Sequence, residues 1–164
     1  MELYLLRHGI AEDHAATDAD RQLTDEGRQK LHRVMKRAAA AGVEPSLILS
    51  SPYKRALETA EIAASELHYK GEILRTGSLT PDSSPPSLWS EIRDHRNEPA
   101  ILLAGHEPLF SSTVAFLLDR LLPSVAPVLL PGVFHFFADI NCNSPGFGKF
   151  PSFVFTYIPG SILA

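Results

Sequence analysis

Two histidines and two arginines stand where apolar runs give out. Arg7 and His8 directly follow Leu3-Tyr4-Leu5-Leu6, Arg55 comes shortly after Leu47-Ile48-Leu49, and His106 directly follows the run from Ala100 to Gly105. These residue types suit phosphoryl chemistry without a metal. A neutral imidazole is a competent nucleophile near pH 7 and can split one difficult transfer into two easier ones. Planar guanidinium forks match phosphoryl oxygens, whose transfer asks for positioning and positive charge more than for elaborate proton chemistry. Gly9 has no Cβ, so the chain can turn there or a ligand can come close. Taken alone, Arg7-His8 reads as well as a surface pair, so the weight rests on the combination. Ser50 and Ser51 could be nucleophiles, but no Gly-x-Ser-x-Gly elbow surrounds them and turn or capping duty is expected.

Such groups converge only if the strands that carry them end together. The run from Leu3 to Leu6 reads as a strand buried on both faces, and Leu47 to Leu49 and Ala100 to Ala104 read as two more. Ile10 to Gln22, with Glu12, Asp13, His14, Asp18 and Asp20, is a polar connection over the first strand end. Thr24 is a good N-cap, followed by Asp25 and Glu26 in a first turn that favours acids. Leu31, Val34, Met35, Ala38 and Ala41 then share one helical face, and Gly42 is a plausible stop. A second helix is expected from Tyr53 to Leu67. Arg55 in its first turn opposes the helix dipole, which makes sense if an anion binds there. A short strand is expected near Ile73 to Arg75. The stretch Pro81 to Pro86 is too proline-rich for a regular element, and a short helix follows through Leu88, Trp89 and Ile92. The helix after Pro108, running to about Leu122, is apolar nearly all round and should be mostly buried. Val133 to Ile140 and Phe153 to Ile158 read as a terminal hairpin. The alternation gives an α/β fold, a three-layer sandwich with a mostly parallel central sheet and helices on both faces. In such sheets ligands bind at the carboxyl ends of the strands.

Composition narrows the setting. The chain has 164 residues, 45% of them hydrophobic, and reads as one domain, 1–164, able to bury a core. A net charge of -4 gives no broad basic surface, so neither nucleic acid nor an anionic membrane is an expected partner. A lone Cys142 cannot form an internal disulfide, and Glu2 precedes only a very short apolar run, so a cytoplasmic protein without a leader is expected. His14, His32, His68, His95 and His135 have no mutual metal-ligand spacing and are assigned to structure or solvent. No metal or cofactor is expected.

Three motifs together resemble those of the histidine phosphatase, or phosphoglycerate mutase-like, superfamily. They are Leu3 to Gly9, Ser50-Ser51-Pro52-Tyr53-Lys54-Arg55-Ala56 with Thr59-Ala60, and Ala104-Gly105-His106-Glu107-Pro108. Within it the chain is similar to the compact SixA type of phosphohistidine phosphatase, in order and spacing, from Met1 to about Leu122. The resemblance implies a phosphoglycerate mutase-like fold and a hydrolase of phosphoric esters or phosphoramidates. It implies that His8 is the nucleophile and forms a transient phosphohistidine, with Arg7, Arg55 and His106 on the phosphoryl oxygens. The backbone N–H of Glu107, at a helix start, could add a further donor.

An alkoxide leaving group needs a proton, and members of the family commonly use a carboxyl group for it. Asp82, after Leu79-Thr80-Pro81, is the candidate, with Glu12 and Glu107 as rivals. A phosphohistidine substrate makes less demand on an acid, because imidazole leaves more easily. Gly71 to Pro99 is too short to hold an inserted lid. The leading expectation is therefore dephosphorylation of phosphohistidine on a partner protein such as a histidine phosphotransfer domain. The alternatives are a phosphomonoesterase acting on a small phosphorylated metabolite and a non-catalytic phosphate-recognition module. Two departures from the SixA pattern stand out. Glu107 takes a place where Asn often follows Gly-His, and Leu130-Pro131-Gly132 replaces a frequent Lys-Gly pair before an aromatic hairpin that could be an interaction surface.

Overall fold

In the computed structural model, strand β1 (Glu2–Arg7) is the middle strand of a seven-stranded sheet. The structure describes residues 1–121, 125–130, 133–138 and 153–158, with side chains described for 1–117 and 119. Both faces of β1 are covered, as its unbroken apolar run requires: Leu3, Tyr4, Leu5 and Leu6 are all buried. The other strands are β2 (Leu47–Ser50), β3 (Ile73–Arg75), β4 (Ala100–Gly105), β5 (Val125–Leu130), β6 (Val133–Ala138) and β7 (Phe153–Ile158). Their order is β3-β2-β4-β1-β7-β6-β5. From β3 to β7 the neighbours pair in parallel, and β6 runs against β7 and β5. Register aligns the three chemistry-bearing strand ends: Arg7 lies opposite Gly105, and Ser50 opposite Ala104.

The helices are α1 (Asp25–Ala40), α2 (Lys54–Glu66), α3 (Pro85–Asp94) and α4 (Leu109–Leu121). Alternation along β1 divides the core into two layers. Leu3 and Leu5 pack with Leu88, Trp89 and Ile92 of α3 and Leu109, Phe110 and Leu117 of α4. Tyr4 and Leu6 pack with Leu31, Val34 and Met35 of α1 and Ala60 and Ala63 of α2. The architecture is thus the expected three-layer α/β sandwich.

Local chemistry sets the helix ends. The Thr24 hydroxyl accepts from the Gly27 N–H at 3.0 Å, capping α1, and Gly42 follows its end at φ +81°. The expectation of an irregular Pro81–Pro86 stretch is corrected. Pro85 and Pro86 are the first residues of α3, where a missing N–H costs nothing, and the Ser84 hydroxyl caps them by accepting from Ser87. Helix α4 is also less buried than its apolarity suggested. Ser111, Ser112, Ala115 and Asp119 are exposed, and Val114 and Phe116 are only half-buried. The expected hairpin is β6 with β7, and β5 adds an edge strand that was not foreseen. Pro127 within it is tolerated because an edge strand has one unpaired side. Residues 139, 140 and the Pro131-Gly132 pair lie outside the described residues.

Candidate active site

At the carboxyl end of β1 the backbone still follows the sheet, with the His8 N–H donating to the Gly105 carbonyl at 3.0 Å. The chain then turns at Gly9, whose N–H donates to the buried Thr59 hydroxyl at 3.3 Å. Thr59 in turn donates to the Arg55 carbonyl at 2.7 Å, so a single side chain ties α2 to the turn that carries His8. On the other side the turn is pressed against α1. A Cβ on Gly27 would sit 2.2 Å from the Ile10 carbonyl oxygen, so only glycine allows this approach.

His8 is held in one tautomer. Its Nδ1 lies 2.8 Å from the Gly9 carbonyl, which can only accept, so Nδ1 carries the proton and Nε2 bears a lone pair. The Arg55 Nε donates to that lone pair at 3.2 Å. Burial pushes the imidazole down to about 4, against the Gly9 hydrogen bond and with help from Arg55, Arg7 and Arg21. His8 is therefore neutral throughout the physiological range.

His106 stands edge-on to His8, with ring centroids 5.0 Å apart, and Tyr53 packs on its other side at 5.2 Å. It is buried, with Nε2 2.9 Å from the Ser51 hydroxyl and Nδ1 lacking any protein partner. Burial, then the neighbouring His8 and Arg55, lower it to about 3. A buried ring nitrogen left open, with the Arg55 charge acting on the ring, is a poor arrangement for stability and a good one for a phosphoryl oxygen. Ser51, whose hydroxyl also accepts from the Tyr53 N–H at 3.3 Å, does the turn duty expected of it and orients His106 as well. That second role was missed, since Ser51 and His106 are far apart in sequence.

Arg55 is 5% exposed, and its guanidinium lies 5.1 Å from the Tyr53 ring centroid. Its other donors reach Asp18, with Nη1 on the backbone oxygen at 2.5 Å and Nη2 on Oδ2 at 2.9 Å. Asp18 was read only as part of a polar connection. Arg7 is exposed and lines a cavity of about 460 Å³ beside His8. Arg21 and Lys30 join it there over a floor of Leu6, Leu31 and Val34. The structure thus gathers His106 and Arg55 around His8, while Arg7 lines the neighbouring cavity, which His8 also lines and Arg55 and His106 do not.

The carboxylates fare differently. The Glu107 side chain turns to the start of α4, where it accepts from the Ser111 N–H at 3.2 Å. The Phe110 N–H goes to the His106 carbonyl, so these two helix-start donors are already taken. Glu12 is exposed, and its carbonyl accepts from the Arg21 Nε at 2.5 Å. Asp82 is exposed in the turn between Leu79 and α3, and Leu79 itself packs beside Gly105. Among the other histidines, His32 pairs with Glu66 at 2.7 Å and His95 approaches Glu91 at 3.5 Å, both structural contacts.

The chain is similar to several known proteins. The sequence profile of the histidine phosphatase superfamily (branch 1) matches residues 3–76. An uncharacterized protein of Picosynechococcus is 39% identical over 113 residues, covering 66% of this chain and 67% of its relative. Phosphohistidine phosphatase SixA of Escherichia coli is 26% identical over 152 residues, 92% of this chain and 91% of that one. The mitochondrial serine/threonine-protein phosphatase Pgam5 of Drosophila ananassae is 31% identical over 93 residues, 53% of this chain and 32% of that longer protein. Among solved structures, the protein histidine phosphatase SixA complexed with tungstate superposes with a TM-score of 0.67 at 24% identity, over 83% of this chain and 86% of that one. No helix among the described residues is long and apolar enough to cross a membrane.

Proposed function

Because this chain is a phosphatase belonging to the histidine phosphatase superfamily (branch 1), we propose that it works without metal through a phosphohistidine on His8 and removes phosphate from phosphohistidine on a partner protein. One observation carries the mechanism: the His8 Nε2 lone pair is fixed by the Nδ1 contact to Gly9, with the Arg55 Nε beside it. Nε2 attacks phosphorus, the bond to the substrate nitrogen or oxygen breaks, and the leaving group takes a proton. Water then attacks phospho-His8, the new P–N bond breaks, and phosphate departs with His8 restored.

Arg7, Arg55 and His106 hold the three equatorial oxygens in this scheme. A bound phosphoryl dianion raises the His106 pKa, since an opposite charge favours the charged ring, and the buried Nδ1 becomes a donor. For ester substrates we assign proton donation to Asp82. A phosphohistidine leaving group needs that acid less.

The likeness to a phosphohistidine phosphatase over 92% of the chain supports the protein substrate. So does the shortness of the chain between β3 and β4, where the one α-helix, α3, buries Leu88, Trp89 and Ile92 in the core. A histidine phosphotransfer domain is the partner we favour, in the cytoplasm. The cavity beside His8 favours a second reading, a small-molecule phosphomonoesterase, because about 460 Å³ fits a metabolite. Phosphate release by wild type and His8→Ala, with EDTA, from a phosphohistidine protein and from a panel of phosphomonoesters separates the two. Efficient turnover of the phosphoprotein alone is expected. Preference for one metabolite moves the assignment to the second reading, and no His8-dependent turnover on either class overturns both.

A further inference from the structure

Arg55 is buried, with a side-chain exposure of 6%, while the Asp18 carboxylate that faces it is 54% exposed. A guanidinium withdrawn from water must have its donors satisfied. It is flat, with Nε and Nη2 along one edge and Nη1 and Nη2 across the end. Asp18 takes the end, through its backbone oxygen on Nη1 and Oδ2 on Nη2. The edge that carries Nε faces the His8 Nε2, the atom that receives the phosphoryl group.

Asp18 is itself fixed. Its Oδ1 accepts from the Arg21 Nη1 at 2.9 Å, and Arg21 is anchored to the Glu12 carbonyl. The short 3-10 turn of Asp18–Asp20 is closed by the Thr17 hydroxyl donating to Asp20 at 2.6 Å, and its loop is pinned by a bridge between Ala11 and Leu23. The two arginines hold the Asp18 carboxyl below its ordinary range, Arg21 contributing most. It stays an anion wherever the enzyme would work.

We propose that Asp18 is the positioning residue for Arg55, gripping the end of the guanidinium so that its Nε edge is presented to the phosphoryl group at His8. The inference rests on His8 being the nucleophile. Its rival is that Asp18 occupies the phosphate's own place and competes with substrate. The geometry opposes this, because the carboxylate lies on the end of the fork and His8 on its edge. The two roles predict opposite signs.

The test measures kcat and KM on a phosphohistidine protein for the full-length wild type, Asp18→Ala, Asp18→Asn, Arg55→Ala and the Asp18→Ala/Arg55→Ala double variant, under single-turnover conditions where needed. Affinity for inorganic phosphate is measured alongside. Asp18→Ala should lose about tenfold to a hundredfold in kcat, as expected for misaligning a transition-state donor. Asp18→Asn, which keeps an oxygen for Nη2, should retain more activity. In the Arg55→Ala background, Asp18→Ala should cost nothing further, a non-additivity that general loop damage would not produce. Tighter phosphate binding with unchanged or faster turnover in Asp18→Ala, or a fully additive loss in the double variant, overturns the proposal. His8→Ala run in parallel separates the two failures: if it keeps turnover, the nucleophile is wrong, and if it is dead while Asp18→Ala matches wild type, only the role of Asp18 is wrong.

Discussion

Replacing Arg55 by alanine should damage catalysis far more than folding. In the proposed mechanism the edge of this guanidinium offers donors to the transferring phosphoryl group, and charge-assisted hydrogen bonds are worth about 1.5–3 kcal/mol each. Two of them together account for about 3–6 kcal/mol of transition-state stabilisation, or roughly 10²–10⁴ in kcat/KM. Stability should move little. The partner left behind is Asp18, already 54% exposed, which returns to water at small cost, and the desolvation of the buried cation is relieved at the same time. A change of no more than about 1–2 kcal/mol is expected, within the range of ordinary substitutions. The His8 pKa should also rise, because Arg55 is one of the charges that depress it. Initial rates on a phosphohistidine protein, a thermal melt and an NMR titration of the His8 ring read all three effects. A folded Arg55→Ala variant that keeps more than a tenth of wild-type kcat/KM would refute the argument that this edge carries the transition-state charge.

Three further outcomes follow from the same geometry. Ser51→Ala removes the partner of the His106 Nε2 and should cost about 1–2 kcal/mol in transition-state binding, seen as a roughly tenfold fall in kcat with the fold intact; an unchanged kcat would mean that His106 needs no orienting. Gly27→Ala drives a Cβ to within 2.2 Å of the Ile10 carbonyl, a backbone atom that Thr24 also holds at 2.9 Å. The clash, about 1–3 kcal/mol, outweighs the helix-propensity gain of up to about 1 kcal/mol, so the melting temperature should drop by several degrees, whereas a rise would show that the loop yields freely. The third concerns pH. His8 is lowered by burial to about 4 from an ordinary 6.5, so between those values the unfolded chain binds a proton that the folded one does not. Its contribution to stability is complete above about 6.5 and is lost as pH falls towards 4. NMR titration should find the His8 ring neutral at pH 5, and a midpoint near 6.5 would contradict the burial argument.

The parts of the site that were legible in sequence are those written locally. An apolar run followed at once by a polar group identifies both a buried strand and what it presents, so Arg7, His8 and His106 could be placed at strand ends before any pairing was known. Thr24 and Gly42 mark the ends of α1 because caps are chosen by residues next to them. Tertiary contacts were not legible. Asp18 and Arg55 are 37 residues apart and meet only because the connection after β1 folds back over α2. Ser51 reaches His106 only because β2 and β4 are neighbours in register. Pro85 and Pro86 were misread because proline forbids a helix interior yet favours its first turn, and which of these applies depends on where the Ser84 cap falls. The exposure of one face of α4 escaped notice for a related reason: composition does not say what packs against a helix.

In the proposed mechanism the phosphoryl group passes through His8. Wild-type protein mixed with an isotopically labelled phosphohistidine substrate and quenched within milliseconds in alkali, which preserves a P–N bond, should carry one phosphoryl group on His8 by peptide mass analysis. The label should chase to inorganic phosphate at the rate of turnover and should be absent from His8→Ala. Turnover by His8→Ala at the wild-type rate, or label trapped on any other residue, would contradict the account.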